Sequence, residues 1–206
     1  MRHLAFLIIT LLSSSALAAE VLVEAEGFAD HGGWVLDPQF LDVMGSPYLL
    51  AHGLGKPVAN PVTEVGFPET GSYRLWVRTK DWVTSHHPGR FKVIIDGQEV
   101  TTTLGDHGQG WVWQDGGKVE IARKRVKVEL SDLTGFDGRC DALYFTTDIE
   151  FVPPREPDKQ MAAWRRRILG LPDVPPSAVH GAMFAAPFRL RRTTRPGPIP
   201  SLGRYG

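Results

Sequence analysis

Acidic residues are the first candidates for chemistry in this sequence, because two carboxylates at a suitable separation can hydrolyse a glycosidic bond. Four of them lie in segments rich in turn-forming residues: Asp106, Asp115, Asp132 and Asp137. Aspartate also favours turns for backbone reasons alone, since its side chain accepts hydrogen bonds from nearby backbone N–H groups. The pattern therefore favours solvated turn residues over a catalytic pair.

Motifs of other enzyme classes do not occur in the sequence. A dinucleotide site needs a glycine-rich turn that leads from a strand into a helix, whereas the glycines of residues 105–110 lead into Trp111-Val112-Trp113, which is typical of a strand. Nucleophile-elbow, zinc-protease and phosphate-loop motifs are also absent. His86-His87 supplies two ligands where a transition metal usually needs three or four. We predict no catalytic residue and no FAD site in this chain.

Tryptophans are more informative about function. Trp34, Trp82, Trp111 and Trp113 adjoin loops that carry Gly, Asp or His, and His52 ends a predicted strand. A flat indole offers a large contact surface to the C–H face of a sugar, while neighbouring polar groups bind its hydroxyls. Core packing is the alternative for each tryptophan. We predict that these five residues include the ligand-facing side chains.

The elements that must position these residues are short strands. Between residues 20 and 149, runs rich in Val, Ile, Tyr, Phe and Trp alternate with Gly, Pro, Asp and Asn, which is typical of an all-β sandwich or jelly roll. Asp96-Gly97 predicts a tight hairpin. The predicted strands are Val21–Glu26, Tyr48–His52, Val62–Phe67, Ser72–Lys80, Arg90–Asp96, Glu99–Thr103, Trp111–Trp113, Lys118–Ala122, Arg125–Ser131 and Asp141–Ile149.

One strand and one helix are predicted in more detail. In Ser72–Lys80, apolar residues alternate with Arg74, Trp76, Arg78 and Lys80, which predicts one buried and one mostly polar face. A short helix is predicted to begin at Asp37-Pro38, to end before Gly45 and to pack as a lid on the sandwich.

The N-terminal residues predict export of the protein, and the C-terminal residues predict a disordered tail. Residues 1–19 combine a basic start, an apolar run broken by serines, and small residues at 16–18, which is typical of a signal peptide and too short for a membrane anchor. Residues 20–152 are predicted to form the sandwich, 153–176 a Pro-rich linker with a helix over 158–169, and 177–206 a disordered basic tail. A secreted or periplasmic protein follows from this organisation.

Composition excludes some ligands. The chain has 206 residues and no formal net charge. Residues 1–154 hold 13 basic and 20 acidic residues, and residues 155–206 hold 10 and 3. The acidic sandwich argues against a nucleic acid as the main ligand. Cys140 is the only cysteine, so no intrachain disulfide can form, and a small buried hydrophobe is its expected role.

Five segments occur in an order typical of one family: Val23-Glu24-Ala25-Glu26, Gly71–Arg78, Phe91–Gly97, Trp111-Val112-Trp113 and Asp141–Phe145. Their order resembles the galactose-binding-like β-sandwich of carbohydrate-binding modules over about residues 20–150. More narrowly, segments 32–35, 48–53, 76–82 and 132–141 resemble the N-terminal module of exported bacterial FAD-dependent oxidoreductases, some of them xanthan-lyase-like. In that family a flavin domain follows a Pro-rich linker and helix.

The resemblance also implies a structural Ca²⁺ site. In carbohydrate-binding modules the Glu-Ala-Glu strand and an aspartate of the final strand bind this ion, and the matching positions here are Glu24, Glu26 and Asp141. Calcium-loop spacing is not visible in this sequence, and the alternative is an ion pair between these carboxylates and Arg139.

Three functions therefore stay open. The first is an exported, non-catalytic module that binds a polysaccharide or cell-surface glycan. The second is the N-terminal portion of an exported FAD-dependent oxidoreductase, with residues from 179 onward read in a shifted frame; a natural basic tail is the alternative for that segment. The third is a protein–protein docking domain.

Overall fold

The structure, a computed structural model, describes residues 17–155 and 159–172, with the side chains of 159–162 excepted. The predicted signal peptide, apart from residues 17–19, and the predicted tail lie outside the described residues. One compact unit extends to Leu171. In chain order its elements are β1 (Glu20–Glu24), β2 (Val35–Asp37), α1 (Leu41–Met44), β3 (Tyr48–His52), β4 (Val62–Gly66), β5 (Gly71–Thr79), β6 (Phe91–Ile95), β7 (Gln98–Glu99), β8 (Val112–Ile121), β9 (Arg125–Asp132), β10 (Phe136–Thr146) and α2 (Lys159–Ile168).

The strands form two antiparallel sheets, so the predicted all-β jelly-roll sandwich is confirmed. The larger sheet has the order β2-β3-β10-β5-β8, and β1 also pairs with β10. Because β10 is long, β3 lies along its first half and β1 along its second half. The smaller sheet has the order β4-β9-β6-β7, and the predicted Asp96-Gly97 hairpin joins β6 to β7.

The core lies between the two sheets. Strand alternation sends every second side chain inward, and the inner faces supply one apolar cluster. Cys140 lies in this cluster without solvent exposure, and burial raises the pKa of its thiol well above the usual range. The completely buried members of the cluster include Leu49, Leu75, Val77, Phe91, Val93, Val128, Leu130, Leu143 and Phe145.

The outer face of the larger sheet is also covered. Tyr73, Leu75 and Val77 of β5 are buried as predicted, but Trp76 and Arg78 on the opposite face are buried too. Trp76 packs in an apolar cluster with Tyr144 and with Trp164 of α2. Met44 of α1 packs with Tyr48 and Trp111. The prediction of a mostly polar outer face was therefore wrong, because segments distant in the sequence cover it.

Several strands differ from their predicted bounds. β1 ends at Glu24 because a 3₁₀ turn over Ala25–Gly27 follows it, and β7 covers Gln98–Glu99 instead of Glu99–Thr103. The two strands predicted over 111–122 form the single strand β8, with a register shift opposite Leu75 and Trp76 of β5. Two glycines permit this bulge. At Gly116 a Cβ would lie only 2.7 Å from Leu75 Cγ, and Gly117 has a φ of +89°, which favours glycine. β10 begins at Phe136 rather than Asp141 because its first half pairs with β3, with a second register shift between Phe136 and Gly138.

The first helix begins later than predicted. Asp37 belongs to β2, an unpredicted strand, and its Oδ1 accepts a hydrogen bond from Gln39 N at 2.8 Å instead of capping α1. Gly45 ends α1 in the left-handed conformation, as predicted. None of the helices within the described ranges has the length and apolar content needed to cross a membrane.

Candidate functional site

Three loops meet at one end of the sandwich: residues 53–61, 80–90 and 133–135. Gly53 N and Gly55 N donate to the Gly135 carbonyl at 3.0 and 3.1 Å, and Thr134 Oγ1 donates to the Pro88 carbonyl. Asp132, predicted to be a solvated turn residue, is 5% exposed and accepts hydrogen bonds from the backbone of Val58, Thr134 and Gly135. A buried carboxylate thus holds two of these loops together.

Large apolar side chains are exposed where the loops meet. Trp82 is 40% exposed, Phe136 51% and Leu54 80%. Trp82 Nε1 donates to the Phe136 carbonyl at 3.2 Å, which joins the indole to the start of β10. A Cβ at Gly55 would lie 2.8 Å from the Phe136 ring, so this glycine keeps the first loop close to that ring. Exposed aromatic clusters of this kind are typical of binding surfaces.

Polar groups frame these apolar side chains. His52 Nδ1 lies 2.5 Å from Asp137 Oδ1, and His87 Nδ1 lies 2.6 Å from the buried Asp81 Oδ2. The Arg139 guanidinium lies 5.3 Å from the centre of the Trp82 ring, within cation–π range. We define the tip surface as His52, Leu54, Trp82, His87, Phe136 and Asp137.

Backbone strain is concentrated in the same place. Leu54, His87 and Asp137 have φ values of +51°, +47° and +58°, a region that residues other than glycine seldom adopt. Each such residue costs on the order of 1–3 kcal/mol and persists only where the surrounding structure requires it. Three of the four non-glycine residues of this kind in the described chain belong to the tip surface. Such clustering is typical of functional sites.

The five predicted ligand-facing residues do not form one surface. His52 and Trp82 belong to the tip surface. Trp34 is 2% exposed and lies in the core, where its ring meets Phe91 edge-to-face at 5.5 Å, so its side chain is not available to a ligand. Trp111, 7% exposed, packs against Tyr48, whereas Trp113 packs against Trp164 of α2. The two therefore form no shared platform.

The three acidic residues expected at a calcium site lie near one another, but arginines bind the carboxylates of Glu24 and Asp141, while Glu26 Oε2 is buried without a hydrogen-bond partner among the described residues. Arg78 Nη1 lies 2.5 Å from Asp141 Oδ2, and both side chains are completely buried. Arg165 Nε donates to Glu24 Oε1 at 3.1 Å, its Nη2 bonds the other oxygen, and its Nη1 lies 3.3 Å from Asp141 Oδ2. Burial, reinforced by the neighbouring Glu24 and Asp141 charges, raises the pKa of Glu26 to about 7.

Calcium binding at these positions stays a prediction, and the donor set does not fit it well. Among the described residues no three His, Cys, Asp or Glu side chains are placed to hold one metal ion. The ion pair with Arg139 does not form, since Arg139 Nη1 donates to the Asp137 carbonyl at 2.9 Å instead. Glu24 and Asp141 instead bind Arg78 and Arg165, which the sequence pattern did not single out.

Sequence reasoning also missed Leu54, His87 and Phe136 of the tip surface. His87 was considered as half of a metal site, and Phe136 only as part of the segment 132–141 that carries the resemblance. One signal was present for Leu54, because a large apolar residue between Gly53 and Gly55 is unusual in a turn. The position of Phe136 depends on the bulge in β10, which has no local signature.

The fold is similar to that of solved carbohydrate-binding modules. A GH26-CBM35 β-(1,4)-mannanase from Podospora anserina superposes with a TM-score of 0.50 and 16% identity over 68% of this chain and 29% of that chain. A family 35 carbohydrate-binding module from Clostridium thermocellum superposes with a TM-score of 0.50 and 19% identity over 61% of this chain and 96% of that chain. No protein-family profile matches the chain, and no curated protein matches it. At these identities the likeness shows the fold.

Proposed function

We propose that this protein is an exported, non-catalytic β-sandwich module that binds a glycan through the tip surface. The observation that carries the proposal is the meeting of the exposed Trp82 and Phe136 rings with two histidine–aspartate pairs, one on the loop 80–90 and one on the adjoining ends of β3 and β10. Aromatic faces can contact sugar C–H groups, while the imidazole and carboxylate groups can bind hydroxyls. The fold shared with carbohydrate-binding modules supports the same assignment.

Binding by a single tip surface is expected to be weak. The exposed aromatic residues are few, and one stacked ring contributes about 0.5–1.5 kcal/mol beyond its area burial. Useful retention on a polymer then depends on many ligand copies along the chain, since avidity raises apparent affinity without new contacts. We therefore expect retention on insoluble polysaccharide to be easier to detect than binding of a monosaccharide.

Trp82→Ala should weaken polysaccharide retention about tenfold or more, because it removes the largest exposed ring of the tip surface. The measurement is retardation in gels that contain candidate polysaccharides, chosen by a glycan array. Leu36→Ala is the matched control, since Leu36 is 45% exposed on β2 and outside the tip surface. Equal retention of wild type and Trp82→Ala, with both folded, would remove the tip surface as the binding site. A glycan array without any hit would favour the protein-docking function.

A finer proposal concerns the gene, and it depends on the sequence resemblance alone. If the chain is the N-terminal portion of an exported FAD-dependent oxidoreductase, DNA downstream of the codon for Ser177 should encode an apolar strand followed by Gly-x-Gly-x-x-Gly in another frame. That motif is expected because the FAD pyrophosphate needs a tight glycine turn and a helix N-terminus. Translation of the other two frames is the measurement. A region without that motif in either frame contradicts this proposal.

A further inference from the structure

The outer face of β1 and helix α2 have complementary patterns. Glu20, Leu22 and Glu24 share one face of the strand, because successive side chains of a strand alternate. Arg167 binds Glu20 through two contacts, of 2.6 and 3.0 Å, and Arg165 binds Glu24 through two of its nitrogens. Between these ion pairs, Leu22 packs in the apolar cluster to which α2 contributes. The acidic, apolar and acidic side chains of the strand thus contact basic, apolar and basic side chains of the helix.

Trp164 holds the centre of this contact. Its side chain is 7% exposed, and its ring lies 4.8 Å from the Tyr144 ring and 5.6 Å from the Trp113 ring, centre to centre. The helix therefore covers an aromatic part of the larger sheet and seats Arg165 beside it. A helix fastened by a buried ring and two bidentate arginines is part of the folded unit rather than a free connection.

Arg165 extends further inward than Arg167. The Arg165 side chain is 11% exposed and also reaches Asp141, a completely buried carboxylate that binds the completely buried Arg78. Two guanidinium groups thus face the two carboxylates of Glu24 and Asp141, and the nearby Glu26, whose pKa burial raises to about 7, adds a third carboxyl that no arginine bonds directly. A buried charge is costly unless it is paired, so a cation that bound these carboxylates would have to displace Arg165 and leave its guanidinium unpaired.

We propose that Arg165 and Arg78 take the place of a divalent cation between Glu24 and Asp141. Helix α2 is then a structural element of the sandwich, and the stability of the sandwich does not depend on calcium. Arg165, which is distant in the sequence, supplies positive charge that the carboxylates of Glu24 and Asp141 need. This inference concerns the stability of the unit and does not depend on ligand binding at the tip surface.

Thermal unfolding of the full chain tests the calcium part directly. A Ca²⁺ ion present at about a hundred times its Kd would raise Tm by about 5–10 °C. We expect Tm of the wild type to be the same in calcium chloride and in EDTA. A rise of Tm in calcium would overturn the proposal, and this measurement needs no variant.

Variants test the role of the helix. Arg165→Met should lower Tm by about 5–10 °C, because it leaves Glu24 unpaired and Asp141 with one arginine fewer. Arg167→Met is the matched control on the same helix, and its 58% exposed side chain predicts a loss below about 3 °C. Arg165→Lys should fall between wild type and Arg165→Met, since it keeps the charge but not the two-pronged geometry. Equal Tm values for wild type and Arg165→Met would overturn the proposal.

A double-mutant cycle separates the ion pair from general damage to the helix. Glu24→Gln removes the charge of the partner, so the loss of Tm in Glu24→Gln/Arg165→Met should be clearly smaller than the sum of the two single losses. Additive losses would show that Arg165 acts without Glu24 and would overturn the proposal. If Arg165→Met does not fold, the same cycle is measured with Arg165→Lys.

Discussion

Replacing Arg78 with methionine should lower the free energy of unfolding by about 3–5 kcal/mol, the largest loss expected for a single side chain outside the core. Arg78 and Asp141 are both completely buried, and their closest atoms lie 2.5 Å apart. Methionine fills much of the same space but leaves the buried Asp141 carboxylate with less compensating charge. The guanidinium also lies 5.9 Å from the Trp111 ring centre, and that contact is lost with it. Urea denaturation is the measurement.

The matched control for Arg78 is an arginine whose ion pair is in water. Arg125 lies 3.6 Å from Glu64, and both side chains are more than two-thirds exposed. Arg125→Met should therefore change the free energy of unfolding by no more than about 1 kcal/mol. An Arg78→Met variant as stable as Arg125→Met would show that the buried pair contributes little to the fold.

Trp34→Ala should also cost about 3–5 kcal/mol, because this ring lies in the core and its removal leaves a cavity. The ring is 2% exposed and meets Phe91 edge-to-face. Trp34→Phe should cost much less, since it keeps an aromatic ring and removes an indole N–H that is buried without a partner among the described residues. Chemical denaturation curves of both variants are the measurement.

Trp82→Ala is the contrasting variant for Trp34. Trp82 is 40% exposed, so its removal leaves no closed cavity, and Trp82→Ala should cost clearly less than Trp34→Ala, about 1–2 kcal/mol for the lost contacts with Phe136 and Arg139. If Trp34→Ala unfolds at the same denaturant concentration as Trp82→Ala, Trp34 is not a core residue in solution. The pair thus separates the two roles that the sequence left open for each tryptophan.

Local pattern was sufficient for much of the fold. Alternation in Ser72–Lys80 predicted which residues of β5 point to the core, because a strand sends successive side chains to opposite faces. The bounds predicted for β3 agree with the structure, and the Asp96-Gly97 hairpin forms where it was expected. Asp96 and Gly97 have positive φ values, which such a turn requires. These features depend on neighbouring residues alone, so one sequence is enough to predict them.

The positions of Arg78 and Arg165 and the composition of the tip surface could not be predicted from neighbouring residues. Arg78 alternates with apolar residues as a solvent-facing side chain would, and only the arrival of other segments, among them Asp141 and Trp111, removes it from water. Arg165 meets Glu24, 141 residues away, because β1 pairs with β10 next to the helix. Phe136 reaches Trp82 through the bulge in β10.

The sequence by itself thus determined the all-β class, the position of most strands, the hairpin turn and the inward face of β5, since these follow from side-chain alternation and turn geometry over a few residues. The tertiary structure alone decided which tryptophan is core and which is surface, and which charge neutralises Glu24 and Asp141. Burial and ion pairing depend on which segments arrive from elsewhere in the chain, and loop-closure entropy and packing control that arrival rather than local propensity.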